Sequence, residues 1–99
     1  MLVLVGCGAT VGDACRTASD CGNGVCITRD FAPDGLCSVA CVLDGSACPA
    51  GSVCVKRALG RDAPGCLRAC TKDSECRSGY LCSAPEGEGP KVCLGPTGI

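Results

Sequence analysis

Cys15-Arg-Thr-Ala-Ser-Asp-Cys21-Gly-Asn-Gly-Val-Cys26 opens a four-cysteine unit that closes at Cys37. The same spacing returns at Cys41, Cys48, Cys54 and Cys66, and again at Cys70, Cys76, Cys82 and Cys93. Each unit reads C-x5/6-C-x4/5-C-x10/11-C, three residues separate successive units, and equivalent positions lie 26 to 29 residues apart. A glycine and an apolar residue recur before each third cysteine: Gly24 and Val25, Gly51 and Val53, Gly79 and Leu81. Repetition at this period means one small structural unit used three times.

Composition sets the physical problem. Beyond the first six residues, Leu, Ile, Val and Phe number only 16 of 93, with 15 Gly, 6 Pro, two aromatics and no Trp in the chain. A share this low is typical of chains that stay disordered without other support. A repeat of this length also falls below the roughly 40 residues at which unaided folding becomes plausible. Covalent staples must contribute, and 13 Cys among 99 residues supply them. Disulfide scaffolds persist in oxidising compartments, so the chain is expected to be exported.

The expected fold class is a small disulfide-rich protein: three tandem four-cysteine modules of short irregular β-hairpins and loops, with little helix. The units divide the chain into residues 1–14 (a signal remnant, lipobox and tether), modules 15–37, 38–66 and 67–94, and a tail 95–99. Thr17 to Asp20 has the S/T-x-x-D form that caps a single helical turn, and Thr71 to Glu75 occupies the matching place before Cys76. Gly22, Asn23 and Gly24 suit a tight turn, as do Pro33-Asp34-Gly35 and Asp44-Gly45. Val25 and Ile27, like Val53 and Val55, flank a cysteine on a short strand that faces the bridges. Three long loops follow the third cysteines: Thr28 to Leu36, Lys56 to Gly65, and Ser83 to Val92. The arrangement expected is modules in line, packed at their junctions but sharing no core.

Four cysteines allow three pairings, about 27 schemes for three modules. First-to-third with second-to-fourth is preferred because it interlocks two loops and avoids the small closure between second and third; spacing alone leaves the three open. A shifted register is the alternative: Cys7, Cys15, Cys21 and Cys26; Cys37, Cys41, Cys48 and Cys54; Cys66, Cys70, Cys76 and Cys82, with Cys93 left over. Its first gap would be seven residues instead of three, which ranks it second.

The spacing, with the D/E-C-x2-G-x-φ-C core at Asp20 to Cys26 and Glu75 to Cys82, resembles the cysteine-rich modules grouped with EB-type and Dickkopf N-terminal repeats. The likeness covers roughly residues 12–94, and the middle unit departs from it with Ala47 in place of the acid. Such modules also occur in bacterial surface lipoproteins, so the resemblance implies an extracellular structural or interaction role and carries over no catalytic residue. Separately, Leu4-Val5-Gly6-Cys7 resembles a bacterial lipobox, whose cysteine thiol takes a diacylglycerol after cleavage before it. Parity points the same way, because twelve cysteines pair within the repeat and Cys7 is the odd one. An export signal needs a basic start and an apolar run of about 7–15 residues. No Lys or Arg precedes Arg16 and only Leu2 to Val5 are apolar, so a signal here requires residues upstream of Met1. The bland alternative is an apolar stub carrying a free or intermolecular thiol.

Other chemistries find little support. Net charge is −1 and evenly spread, so no basic stripe exists to neutralise nucleic-acid phosphates. No apolar run approaches the roughly 18 residues of a membrane span. Cys-x3-Cys occurs at Cys37/Cys41 and Cys66/Cys70, but without His or Cys-x2-Cys it makes a poor zinc site. No Cys-x-x-Cys dithiol is present for redox catalysis, and zero His removes the usual general base. The ten acidic residues read as solvated turn residues, so no enzyme, cofactor or small-molecule substrate is expected. The expected function is an exported scaffold, lipid-anchored through Cys7 to a bacterial outer membrane or cell surface, or secreted, that binds an unknown protein partner. The rival is a secreted protease inhibitor presenting the basic loop from Lys56 to Arg61, with Arg57 or Arg61 entering a protease pocket. Phe31 is a third candidate contact, as an exposed aromatic anchor, although local packing is the favoured reading of it.

Overall fold

The computed structural model describes residues 10–22, 24–43, 48–85 and 87–99. The lipobox with Cys7, Asn23 of the first turn, the Asp44-Gly45 turn, Ala47 and Glu86 lie outside the described residues. Each module builds one antiparallel strand pair: β1 (Val25–Ile27) with β2 (Leu36–Ser38), β3 (Ser52–Gly60) with β4 (Ala63–Arg68), and β5 (Leu81–Ser83) with β6 (Val92–Leu94). The only helical elements among the described residues are single 3-10 turns, Ala18–Cys21 and Asp73–Glu75.

In every module the third and fourth cysteines stand directly opposite each other: Cys26↔Cys37, Cys54↔Cys66 and Cys82↔Cys93. They do not bond to one another. The bridges are Cys15–Cys26 and Cys21–Cys37, Cys41–Cys54 and Cys48–Cys66, Cys70–Cys82 and Cys76–Cys93. First pairs with third and second with fourth throughout, with Cα separations of 5.4 to 6.0 Å. Each hairpin is thus tied to the segment before it by two bridges, and the shifted register is ruled out because Cys93 is paired.

The lead-in before each first cysteine joins the strand carrying the fourth. The Cys37 amide donates to the Asp13 carbonyl and the Cys66 amide to the Val39 carbonyl, both at 2.9 Å, while the Cys70 amide donates to the Lys91 carbonyl at 3.1 Å. Ala40 bridges Gly65, and Ala69 bridges Val92.

Two sequence expectations need correction. The modules do share a core. Ile27, Phe31, Ala32 and Leu36 of the first module pack with Val55, Ala58 and Leu67 of the second and Tyr80, Val92 and Leu94 of the third. Nor are the modules strung in line, because the third returns to the first. The Gly95 amide donates to the Phe31 carbonyl at 2.6 Å, and the Tyr80 hydroxyl and an Arg77 Nη donate to the Pro33 carbonyl at 2.8 and 2.9 Å. The physical reason is scarcity: a unit with four or five apolar side chains cannot dry them alone, so three units pool them. Phe31 is accordingly 4% exposed, an internal anchor and not a surface one.

The second correction concerns Lys56 to Gly65, which is hairpin and not loop. After Val55↔Gly65 the pairing shifts and resumes at Gly60↔Ala63, leaving four β3 residues facing Pro64. Pro64 has no amide to offer the ladder, which makes the bulge tolerable there. Inside it Ala58 turns fully into the core. Leu59 lies over Gly65, where any added Cβ would come 2.7 Å from the Leu59 Cγ. Of the strand residues expected to face the bridges, Ile27 and Val55 are buried and Val53 is half-buried, whereas Val25 is 38% exposed.

Candidate interaction surfaces

Four acidic residues are occupied in turns. Asp20 Oδ2 accepts from the Arg16 and Thr17 amides at 2.8 and 3.2 Å, and these bonds hold its carboxyl below the usual aspartate range. Glu75 repeats the device, accepting from the Thr71 amide at 2.7 Å and the Thr71 hydroxyl at 3.1 Å, with its carboxyl lowered by the same bonds. Asp73 accepts from the Cys82 amide at 2.8 Å, and Asp13 from the Thr10 amide at 2.8 Å. These four carboxylates organise backbone in exposed turns, and at Asp20 and Glu75 the donors favour the ionised form.

Three sulfur clusters draw the eye as ligand sets: Cys15, Cys21 and Cys26; Cys41, Cys48 and Cys54; Cys70, Cys76 and Cys93. All nine sulfurs belong to the bridges described above. A thiolate ligand would first require a bridge to be reduced.

The basic residues of the second module sit along the β3–β4 hairpin. Lys56 and Arg57 are exposed on β3, and Arg61 and Asp62 are exposed in the two-residue turn at its tip. Arg57 is followed at once by the fully buried Ala58, so its backbone does not form an exposed extended run. Arg61 is the basic side chain at the hairpin tip. Near the tip the Arg29 guanidinium donates to the Leu59 carbonyl at 3.3 Å, holding the first module against the arm.

An apolar groove that sequence reasoning missed runs between the second and third modules. Leu43, Val53, Val55, Pro85 and Pro90 line it, and Lys56 stands at its rim. Val42 and Leu43 beside it are 66% and 51% exposed, the most exposed large apolar side chains among the described residues. Their adjacency right after Cys41 was the available signal. The prolines come from a loop too distant in sequence to be associated with them.

Thr10 and Val11 lie in a depression with Pro49, Gly51, Ser52 and Arg68. This is where the described chain enters the body, and Gly12 packs against the Arg68 side chain.

Tyr80, 5% exposed, joins the third module to the first, and burial pushes its phenol above the usual tyrosine range. Among the described residues no helix is long and apolar enough to cross a membrane. No protein-family model, no curated protein and no solved structure matches this chain.

Proposed function

We propose that this chain is an exported scaffold, held at a bacterial membrane by a diacylglycerol on Cys7, that offers a rigid surface to another protein and performs no chemistry itself. The observation that carries this reading is the closed disulfide set. Six bridges consume all twelve cysteines from Cys15 to Cys93, so Cys7, which follows Leu4-Val5-Gly6, is the one left over in the count. Such a bridge density belongs to an oxidising compartment. Rigid presentation is the mechanism, because a surface ordered before contact loses little conformational entropy on binding. The groove lined by Leu43, Val53, Pro85 and Pro90 is the part of that surface with the apolar character of an interface centre.

Intact and peptide mass spectrometry of the native protein, alkylated before and after reduction, tests this reading. The expected result is a chain beginning at Cys7 with a lipid mass on it and six bridges. An unmodified Cys7 in a bridged, exported protein removes the anchor. Thirteen thiols alkylated without reduction remove export itself. The inhibitor reading keeps one favourable observation, the exposed Arg61 at the hairpin tip. Inhibition of a trypsin-like protease that vanishes in Arg61→Ala would establish it in place of the scaffold.

A further inference from the structure

We propose that the face around Thr10, Gly51, Ser52 and Arg68 rests on phospholipid headgroups, so that the β3–β4 hairpin stands away from the membrane with its Arg61 tip outermost. This orientation rests on the anchorage proposed above and adds to it a surface, a partner of stated chemistry and a direction.

Tether length is the first argument. Cys7 precedes Thr10 by three residues, a reach of at most about 10 Å even when fully extended. The body measures 41 × 30 × 22 Å, so such a tether cannot let it stand clear of the lipid. Whatever lies around Thr10 lies against the membrane. Thr10 is fixed in turn: its amide donates to Asp13 Oδ2, the Asp13 amide donates back to the Thr10 carbonyl at 2.9 Å, and the Gly12 amide donates to the Cys37 carbonyl. The entry point is therefore a defined place on the body.

The chemistry of that place points the same way. Thr10, Val11, Pro49, Gly51, Ser52 and Arg68 form a surface of small and uncharged groups with one exposed cation. Arg68 packs its stem on Gly12, and Arg77 donates from its other side to the Gly12 carbonyl at 3.3 Å. Asp13, an exposed carboxylate beside this surface, accepts from the Thr10 amide and hydroxyl. The exposed Arg68 guanidinium, the one charged group lining this depression, suits anionic lipid phosphate, to which Arg bonds in a two-pronged geometry.

Direction follows from register. Ser52 and Arg68 are partners at the base of the hairpin, and Gly60 and Ala63 are partners at its far end. Nine strand residues span up to about 26 Å, less the shortening of the bulge. With the base against headgroups, Arg61 is carried out beyond the reach of the lipid surface.

Arginine modification by phenylglyoxal tests this on full-length lipidated protein in phosphatidylcholine vesicles containing phosphatidylglycerol. Soluble Cys7→Ser protein with its six bridges intact is the reference, and modification at each arginine is read by peptide mass spectrometry. The expected result is that the protein floats with the vesicles and that modification of Arg68 slows several-fold relative to the reference, while Arg61 keeps its rate. Flotation with Arg68 as reactive as in the soluble reference, or with Arg61 protected instead, overturns the orientation and leaves the anchor standing. Failure of the lipidated preparation to float overturns the anchor, and the orientation with it.

Discussion

The Pro33 carbonyl receives two donors from the third module, the Tyr80 hydroxyl and the Arg77 guanidinium, and Arg77 also stacks over the Tyr80 ring with its carbon 4.5 Å from the centroid. Because the carbonyl keeps Arg77 when the hydroxyl is removed, Tyr80→Phe should cost only about 1 kcal/mol in a urea titration. Arg77→Ala should cost more, since it strips donors from both Gly12 and Pro33. The capped carboxylates set the acid limb of stability. Asp20 and Glu75 are lowered by backbone and hydroxyl donors, so the folded form binds their protons less readily than the unfolded chain. Their contribution is complete above the ordinary carboxylate range and is lost as pH falls from it through the lowered folded-state values. A variant carrying Asp20→Asn and Glu75→Gln should show a flatter loss of stability with acid than the parent, measured by thermal unfolding between about pH 6 and pH 2. At Gly35 the backbone has φ +78 and an added Cβ would fall on the Cys15 carbonyl, so Gly35→Ala should disturb oxidative folding of the first module. The Pro-Asp-Gly motif made that turn legible in sequence, although the close approach to Cys15 was not.

The β3–β4 hairpin is the element on which sequence reasoning failed. Lys56, Arg57, Gly60 and Pro64 carry the composition of a loop, and no alternation of apolar and polar residues marks a strand. Burial of Ala58 and the seating of Leu59 on Gly65 override that composition, because a bulge lets one small and one large side chain turn inward from a charged segment. Gly65→Ala should therefore drive Leu59 from its seat and crowd the Ser38 hydroxyl, which donates to the Cys66 carbonyl at 2.7 Å. The paired cysteines behave oppositely, since their spacing was readable and their favoured pairing is the one found. Replacing Cys48 and Cys66 by Ala opens a closure spanning 18 residues. It should cost about 3 kcal/mol by the loop-entropy argument, read as a fall in melting temperature. The cost should be larger than that entropy alone, because Cys66 is fully buried.

Closure of the third module onto the first should make the molecule open as one cooperative body. Gly95 must be glycine for this contact, since an added Cβ would lie 2.6 Å from the Pro33 Cδ and 2.9 Å from the Phe31 carbonyl oxygen. Phe31→Ala should destabilise by about 3–5 kcal/mol, as for other buried aromatics. Native-state hydrogen exchange should then show faster opening of β6 as well as of β1 and β2. Modules that opened independently would confine the effect to the first unit.

By itself the sequence determined what local covalent chemistry and spacing can determine: the repeat, the capped turns at Asp20 and Glu75, and the disulfide-dependent class. Those features depend on residues close in the chain. The tertiary structure alone decided that the modules share a core, that Phe31 faces inward, that a basic loop is a strand, and that Leu43 meets Pro85 and Pro90. Each of these joins residues from different units. With so few apolar side chains per unit, no local pattern shows where a side chain will find company; only the folded chain brings enough of them together to exclude water.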